Sequence, residues 1–169
     1  ILPKTTFEAL VFEKGHPSFD SKNHNYKDGF HIIFPIGLHV KHRYFIFHKL
    51  KEICVTNNML NGIEYINTIN EIFDDSTMNR NGWLMYKSKK ENGQLYDLTH
   101  IYDKDMQCKM CVQFDKTGSN VVYEDDELVS LLSVRRYGED DLINLIADLN
   151  TEELQQEINN IHKIYENPD

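Results

Sequence analysis

The run Lys27-Asp28-Gly29-Phe30-His31-Ile32-Ile33-Phe34-Pro35 decides how the rest of the chain is read. Asp-Gly is turn chemistry, because glycine takes backbone conformations closed to residues with a Cβ. Phe-His-Ile-Ile-Phe is a short strand, and Pro35 stops it by removing a backbone donor. Side chains alternate along an extended segment, so Lys27, Gly29 and His31 fall on one face. All three favour anions. Gly29 lets a phosphate approach the backbone, Lys27 supplies a point charge, and His31 donates to a phosphate oxygen and titrates near neutrality. The same residues also read as a turn followed by a histidine at the margin of a core, and spacing alone does not separate these two readings.

Working outward, residues 7–13 (Phe-Glu-Ala-Leu-Val-Phe-Glu) predict a largely buried strand. Lys14 to Asn25 is rich in Gly, Pro, Ser, Asn and His and predicts a loop. Downstream, Val40, Tyr44, Phe47, Leu50 and Cys54 recur at helical spacing, which predicts a helix over 39–55. Lys41, His42, Lys49 and Lys51 fill its other side, and Asn57-Asn58 and Asn61-Gly62 break it. Ile63, Ile66, Ile69 and Ile72 predict a short helix or 3₁₀ segment entering a strand at Ile72-Phe73, ended by Asp74-Asp75-Ser76. Asn79 to Gly82 is a tight loop. A strand restarts at Trp83-Leu84-Met85-Tyr86 and runs into Lys87-Ser88-Lys89-Lys90, and Glu91 to Gln94 is a turn. Residues 95–102 and 109–114 predict further strands. Helices follow at about 126–134 and 139–165, the last restarting at Thr151-Glu152-Glu153 with Leu154, Ile158, Ile161 and Ile164 in its apolar stripe. The class is α+β: a strand-rich part of about 120 residues, then a helical tail.

Composition agrees with a folded domain. The 169 residues are 40% hydrophobic and 27% charged, which excludes disorder, collagen and coiled coil for the chain as a whole. No apolar run approaches the roughly 18 residues of a membrane helix, and three cysteines are too few for a disulfide framework, which points to a reducing compartment. Charge is divided unevenly. Residues 1–100 hold 12 Lys and Arg against 11 Asp and Glu, a net +1, and residues 101–169 hold 6 against 16, a net −10. The overall −9 argues against nonspecific nucleic-acid binding by the whole surface, but not against a local basic site in the first part. The chain opens Ile1-Leu2-Pro3, with neither an initiator Met nor a signal-peptide pattern, so it reads as a piece of something longer.

Three further groups have chemical potential. Adjacent carboxylates at Asp74-Asp75 suit Mg²⁺ or Mn²⁺, which prefer hard oxygen ligands, or else the stretch is an exposed turn or a helix N-cap, with Asp75 or Ser76 capping. Tyr86-Lys87-Ser88-Lys89-Lys90 either binds a polyphosphate or is a solvated charged face. Cys108-x-x-Cys111 has the spacing of half a zinc site, but on a strand the two thiols point to opposite faces and the other half is missing. There is no P-loop, H-E-x-x-H, G-x-S-x-G or dinucleotide fingerprint.

The order of these motifs is more specific than any one of them. Lys27-Asp-Gly-Phe-His31-Ile-Ile-Phe-Pro, then a helix, then Ile72-Phe-Asp-Asp, Asn79-Arg-Asn-Gly-Trp-Leu-Met-Tyr-Lys-Ser-Lys-Lys90 and Tyr96-Asp-Leu-Thr99 resembles the archaeo-eukaryotic primase domain, in particular that of helicase-primases of large cytoplasmic DNA viruses. The likeness covers residues 7–103. It implies an archaeo-eukaryotic primase fold, an RRM-like antiparallel sheet with helices, present in part and followed by a C-terminal helical tail. It also implies a boundary, with 1–123 the C-terminal part of a catalytic domain and 124–169 an acidic helical connector.

The resemblance further implies the site. Gly29 and His31 match the small-x-His motif that contacts nucleotide phosphates, and Lys27 matches a basic position used for the triphosphate. Asp74, nine positions before Trp83, best matches the third-motif metal ligand, and Asp75 fits if the loop is one residue shorter. Ser88 and Lys90 match the strand with the basic triphosphate contact. Lys87 stands where most viral relatives carry Gly, and Leu84 where eukaryotic primase-polymerases carry Arg. The first motif, Asp-x-Asp or Asp-x-Glu, is found on no plausible strand upstream of His31, and the expectation is that it lies before Ile1. The implied activity is DNA primase nucleotidyl transfer in DNA replication, with nucleoside triphosphates, a single-stranded DNA template and Mg²⁺ or Mn²⁺. The implied partners are upstream and downstream segments of the same polypeptide, including a helicase domain, with no membrane, in the cytoplasmic viral factory of an infected cell or the nucleus. The competing expectations are a non-catalytic module of the same fold that binds nucleic acid or docks replication proteins, and a zinc-bound structural domain around Cys108 and Cys111.

Overall fold

The computed structural model of the chain describes residues 8–76, 86–91, 93–111, 125–132 and 152–166. In chain order the elements are β1 (Ala9–Lys14), β2 (Ser18–Asp20), β3 (Asn25–Lys27), β4 (Phe30–Ile33), α1 (Val40–Thr56), α2 (Ile69–Ile72), β5 (Tyr96–Tyr102), β6 (Cys108–Cys111), α3 (Asp125–Leu131) and α4 (Glu152–Glu166). The chain is α+β, as the sequence predicts. It forms two compact units, each assembled from separated segments: a helical unit containing residues 37–83 and 141–169, and a sheet unit containing 4–36 and 84–140. The expected division at 123/124 lies outside the described residues.

In the sheet unit four strands run in the order β4-β1-β5-β6, every neighbour antiparallel. Leu10 pairs with Ile33 and Phe12 with His31 on one side, and Leu10 pairs with Ile101 and Phe12 with Leu98 on the other. Paired residues share a face, so Leu10, Phe12, Ile33, Leu98 and Ile101 form one apolar layer. Leu10, Phe12 and Ile101 are buried there with Leu128 of α3, while Tyr86, Tyr96, Leu131 and Leu132 pack partly buried against them. The β1–β5 register slips between Val11 and Phe12, leaving Thr99 as the extra residue of a bulge. Thr99 is buried, yet its hydroxyl is satisfied by the Val11 carbonyl at 3.3 Å and the Glu13 carboxylate.

The expected loop over 14–25 is instead partly a hairpin. β2 and β3 pair through Ser18–Lys27, Phe19–Tyr26 and Asp20–Asn25. Asp20 Oδ1 accepts from the Lys22 and Asn23 backbone N–H groups, and His24 takes φ 52°, so turn chemistry closes a ladder that composition alone hides. Between β5 and β6, Asp103 Oδ1 does the same for Asp105 and Gln107.

In the helical unit, the 17 residues of α1 pack on α4. Tyr44, Phe45, Ile158 and Ile161 are buried, and Tyr44 stacks on Tyr165 with ring centroids 4.5 Å apart. The expected α1 stripe needs two corrections. Leu50 is exposed, and His42, placed by its polarity on the outer side, is buried, because its position next to the Tyr44-Phe45 face outweighs the residue type. The isoleucine repeat also ends differently from expectation. Thr68 accepts from the Glu71 N–H and Glu71 accepts from the Thr68 N–H, a capping box that winds 69–72 into one helical turn. Phe73 is then a helix C-cap, not a strand residue. On α4, Ile158 and Ile161 are buried, Leu154 is partly buried and Ile164 is exposed. Among the described residues no helix is long and apolar enough to cross a membrane.

Candidate functional site

Antiparallel pairing brings three chain segments to one end of the sheet. β1 ends at Lys14, β4 begins at Phe30 directly after Asp28-Gly29, and β5 begins at Tyr96 directly after the 86–95 segment. Lys27 closes β3 two residues before β4 starts. His31 lies on the core-facing layer beside Phe12, half-buried at the sheet edge, whereas Lys27 is exposed. Asp28 Oδ1 accepts from the Gly29 N–H at 2.8 Å, fixing the turn that feeds β4.

Tyr96, opposite Lys14 in register, reaches across β1 and stacks on the His31 imidazole with centroids 4.1 Å apart and planes 11° apart. The Lys14 ammonium lies 5.5 Å from the Tyr96 ring centroid, within cation–π range. A Cβ on Gly29 would meet the Tyr96 hydroxyl at 3.8 Å, an ordinary contact, so the phenol's polar end sits at the Gly29 turn. Sequence reasoning missed Lys14 and Tyr96 as members of this site. Neither belongs to the Lys-x-Gly-x-His pattern, and only the cross-strand register brings them to it.

The expected strand over 83–90 is not continuous. Residues 83–85 lie outside the described set, Tyr86-Lys87 is a turn, and Ser88 to Lys90 is an exposed irregular segment. Lys87 takes φ 60°, a left-handed conformation that favours glycine. Tyr86 packs edge-on to Phe12 at 5.9 Å, which anchors this segment on the sheet core, and the Gly93 N–H donates to the Lys90 carbonyl at 2.9 Å to turn the chain into β5. Lys27, Gly29, His31, Ser88 and Lys90 therefore all belong to the sheet unit.

Asp74 and Asp75 belong to the helical unit, after the single turn of α2. Asp74 Oδ1 accepts from the Ser76 N–H at 2.9 Å, so in this turn Asp74 supplies the acceptor, not the Asp75 or Ser76 of the expected cap. Asp75 lies near Tyr165, whose hydroxyl is pushed above its ordinary range by burial first and then by the Asp75 and Tyr44 charges. Among the described residues no three His, Cys, Asp or Glu side chains gather as metal ligands. Two adjacent carboxylates, one engaged in a turn, do not amount to a two-ion site. Cys108 is exposed and Cys54 buried, and neither is in a disulfide.

Elsewhere in the helical unit, burial first, then the Lys41 and His39 charges, pushes the His42 imidazole below its ordinary range. Neither of its ring nitrogens has a hydrogen-bond partner.

The described elements form an α+β domain with a Lys-x-Gly-x-His turn at the head of one strand of an antiparallel sheet and a lysine-rich segment preceding another. Residues 2–102 match the family described as the C962R protein N-terminal AEP domain, AEP standing for archaeo-eukaryotic primase, and the chain belongs to that family. It is also 27% identical over 100 residues to the Acanthamoeba polyphaga mimivirus protein named "Putative helicase L207/L206". That match covers 58% of this chain and 10% of the mimivirus protein, so the chain spans a small part of this relative. No solved structure matches it.

Proposed function

We propose that this chain is the nucleotide-binding part of a DNA primase or primase-polymerase domain of a helicase-primase, acting in DNA replication. The observation that carries the reading is the Lys27-x-Gly29-x-His31 turn heading β4 at the sheet end where β5, which follows the Ser88–Lys90 segment in the chain, also begins. In this role Lys27 and Lys90 neutralise a nucleoside triphosphate, Gly29 admits a phosphate to the backbone, His31 donates to a phosphate oxygen, and Ser88 adds a hydroxyl. Most catalysis of phosphoryl transfer is such positioning and charge stabilisation. Asp74 or Asp75 is the chain's contribution to binding Mg²⁺ or Mn²⁺, and a bound ion supplies Lewis-acid stabilisation of phosphate oxygens. The remaining carboxylates must come from beyond the described residues. Single-stranded DNA as template, a helicase domain in the same polypeptide, and a viral factory or the nucleus as the place of action complete the proposal. Residues 124–169 act as an acidic connector.

The test is calorimetric titration of the 169-residue chain with ATP and Mn²⁺. His31→Ala is expected to weaken binding about tenfold, the equivalent of about 1.4 kcal/mol. Unchanged affinity in that variant would sink the reading. Primer synthesis by this chain alone is expected to be slight or nil, and robust polymerisation would contradict the proposal that carboxylates from elsewhere are needed.

A second reading, a non-catalytic module of the same fold, is favoured by the lack of a three-ligand metal cluster among the described residues. A parent polypeptide with an Asp-x-Asp on a strand within about 120 residues upstream, roughly one further domain length, would decide against it.

A further inference from the structure

We propose that Tyr96 is a positioning residue for His31 in triphosphate binding, holding the imidazole by ring stacking; this rests on the reading of Lys27, Gly29 and His31 as the phosphate contacts. β4 has four residues and lies at the sheet edge with a neighbouring strand on one side, so a side chain that reaches His31 across β1 adds to the restraint on its orientation. The stack at 4.1 Å and 11° supplies that restraint. A ring stacked through its face keeps both nitrogens in its plane, where hydrogen bonds to phosphate form, so the stack is compatible with binding. Fixing a rotamer before the ligand arrives removes an entropic cost that binding would otherwise carry, about three- to tenfold in affinity.

Tyr96 is suited to this because it is held from three sides. Its β5 backbone pairs with Lys14, its ring packs on the Leu10–Phe12–Ile101 core, and the Lys14 ammonium lies 5.5 Å from the ring centroid. Tyr96, on the seven-residue β5 inside the sheet, is set between strands on both sides, whereas His31 sits on the four-residue edge strand. A purely structural tyrosine would fill the same core space without affecting His31.

The experiment compares the wild-type chain, Tyr96→Phe, Tyr96→Leu, His31→Ala and the double variant His31→Ala/Tyr96→Leu, titrated calorimetrically with ATP and Mn²⁺, with circular dichroism to monitor folding. Tyr96→Phe is expected to bind within about twofold of wild type, and Tyr96→Leu to bind three- to tenfold more weakly. On the His31→Ala background, Tyr96→Leu is expected to change nothing further. An equal loss on both backgrounds overturns the proposal, because Tyr96 would then act without His31. A loss in Tyr96→Phe as large as in Tyr96→Leu also overturns it, since the hydroxyl and not the stack would be responsible. If Tyr96→Leu unfolds, Tyr96→Trp and the ring-current shift of the His31 imidazole protons decide. Tyr96→Trp is expected to keep both affinity and a shifted His31 resonance, and an unshifted His31 resonance in wild type overturns the stack. Wild-type affinity in His31→Ala would instead defeat the underlying triphosphate reading, whatever Tyr96 does.

Discussion

The two units handle buried polarity in opposite ways. In the sheet unit, buried Thr99 finds the Val11 carbonyl and the Glu13 carboxylate within the bulge that it creates. In the helical unit, buried His42 has no partner at either nitrogen. A hydroxyl on a strand meets backbone acceptors of its neighbour, whereas the carbonyls of a helix are committed to its own hydrogen bonds and offer a side chain such as His42, in the first turn of α1, little. The sheet unit can therefore array polar groups at its end above an aliphatic layer, and the helical unit, built from stacked aromatics, tolerates one at a cost.

The sharpest way to break this comparison is to open each core. Leu10→Ala removes a side chain with 0% exposure and should cost about 3 kcal/mol, read by urea denaturation. The matched change, Ile158→Ala, removes one at 1% exposure and should cost a similar amount. NMR signals of His31 are expected to respond to the first change and those of Tyr165 to the second. Joint loss of both sets in either variant would show one cooperative block.

A smaller effect concerns His42. Its folded pKa lies below the unfolded value of 6.5, so the unfolded state binds the proton more readily. Its share of stability is complete above about pH 6.5 and is lost as pH falls through that value towards the depressed folded pKa. His42→Leu should remove this slope and stabilise by about 1 kcal/mol, since no hydrogen bond is given up. An unchanged pH profile of melting would show that another group carries the slope.

Lys87→Gly should relieve the left-handed backbone at φ 60° and stabilise by up to about 1 kcal/mol, less whatever the Lys87–Tyr86 contact contributes. Loss of stability on this change would show that the contact outweighs the strain. The smallest effect falls on the ion pairs of Lys49, one within α1 and one to α4. Lys49 donates to Glu157 at 2.6 Å and to Glu52 at 2.8 Å, and these carboxylates, Glu157 first, hold its ammonium above the ordinary range. The pairs are partly solvated, so Lys49→Met should cost at most about 1 kcal/mol and reduce the dependence of melting on salt.

Part of this architecture is legible in the residues one at a time. Asp28-Gly29 and Pro35 bracket β4, and the Asn57-Asn58 and Asn61-Gly62 breaks bound α1, because these residues limit backbone conformation locally. The β2–β3 hairpin is not legible, since its three-residue strands carry no alternation and depend on the Asp20 turn. Ile72-Phe73 misleads in the other direction: its β-branched composition suggests a strand, but Thr68 and Glu71 close a capping box first. The left-handed backbone at Lys87, φ 60°, is likewise not legible, since lysine carries no signal for it.

Of the candidate site, the sequence by itself determined the Asp28-Gly29 turn that feeds β4, because Asp-Gly chemistry is local, whereas alternation holds only within one extended segment, and Lys27 closes β3 while His31 lies on β4. It also determined the α+β class and the family, because the order of motifs survives without coordinates. Only the tertiary structure decided that Tyr96 and Lys14 join His31, that Asp74 follows a helical turn and accepts from the Ser76 N–H, and that His42 is buried. The physical reason is the same in each case. Contacts across strands, caps and burial are set by which distant segments pack together, and no residue carries that information in its nearest neighbours.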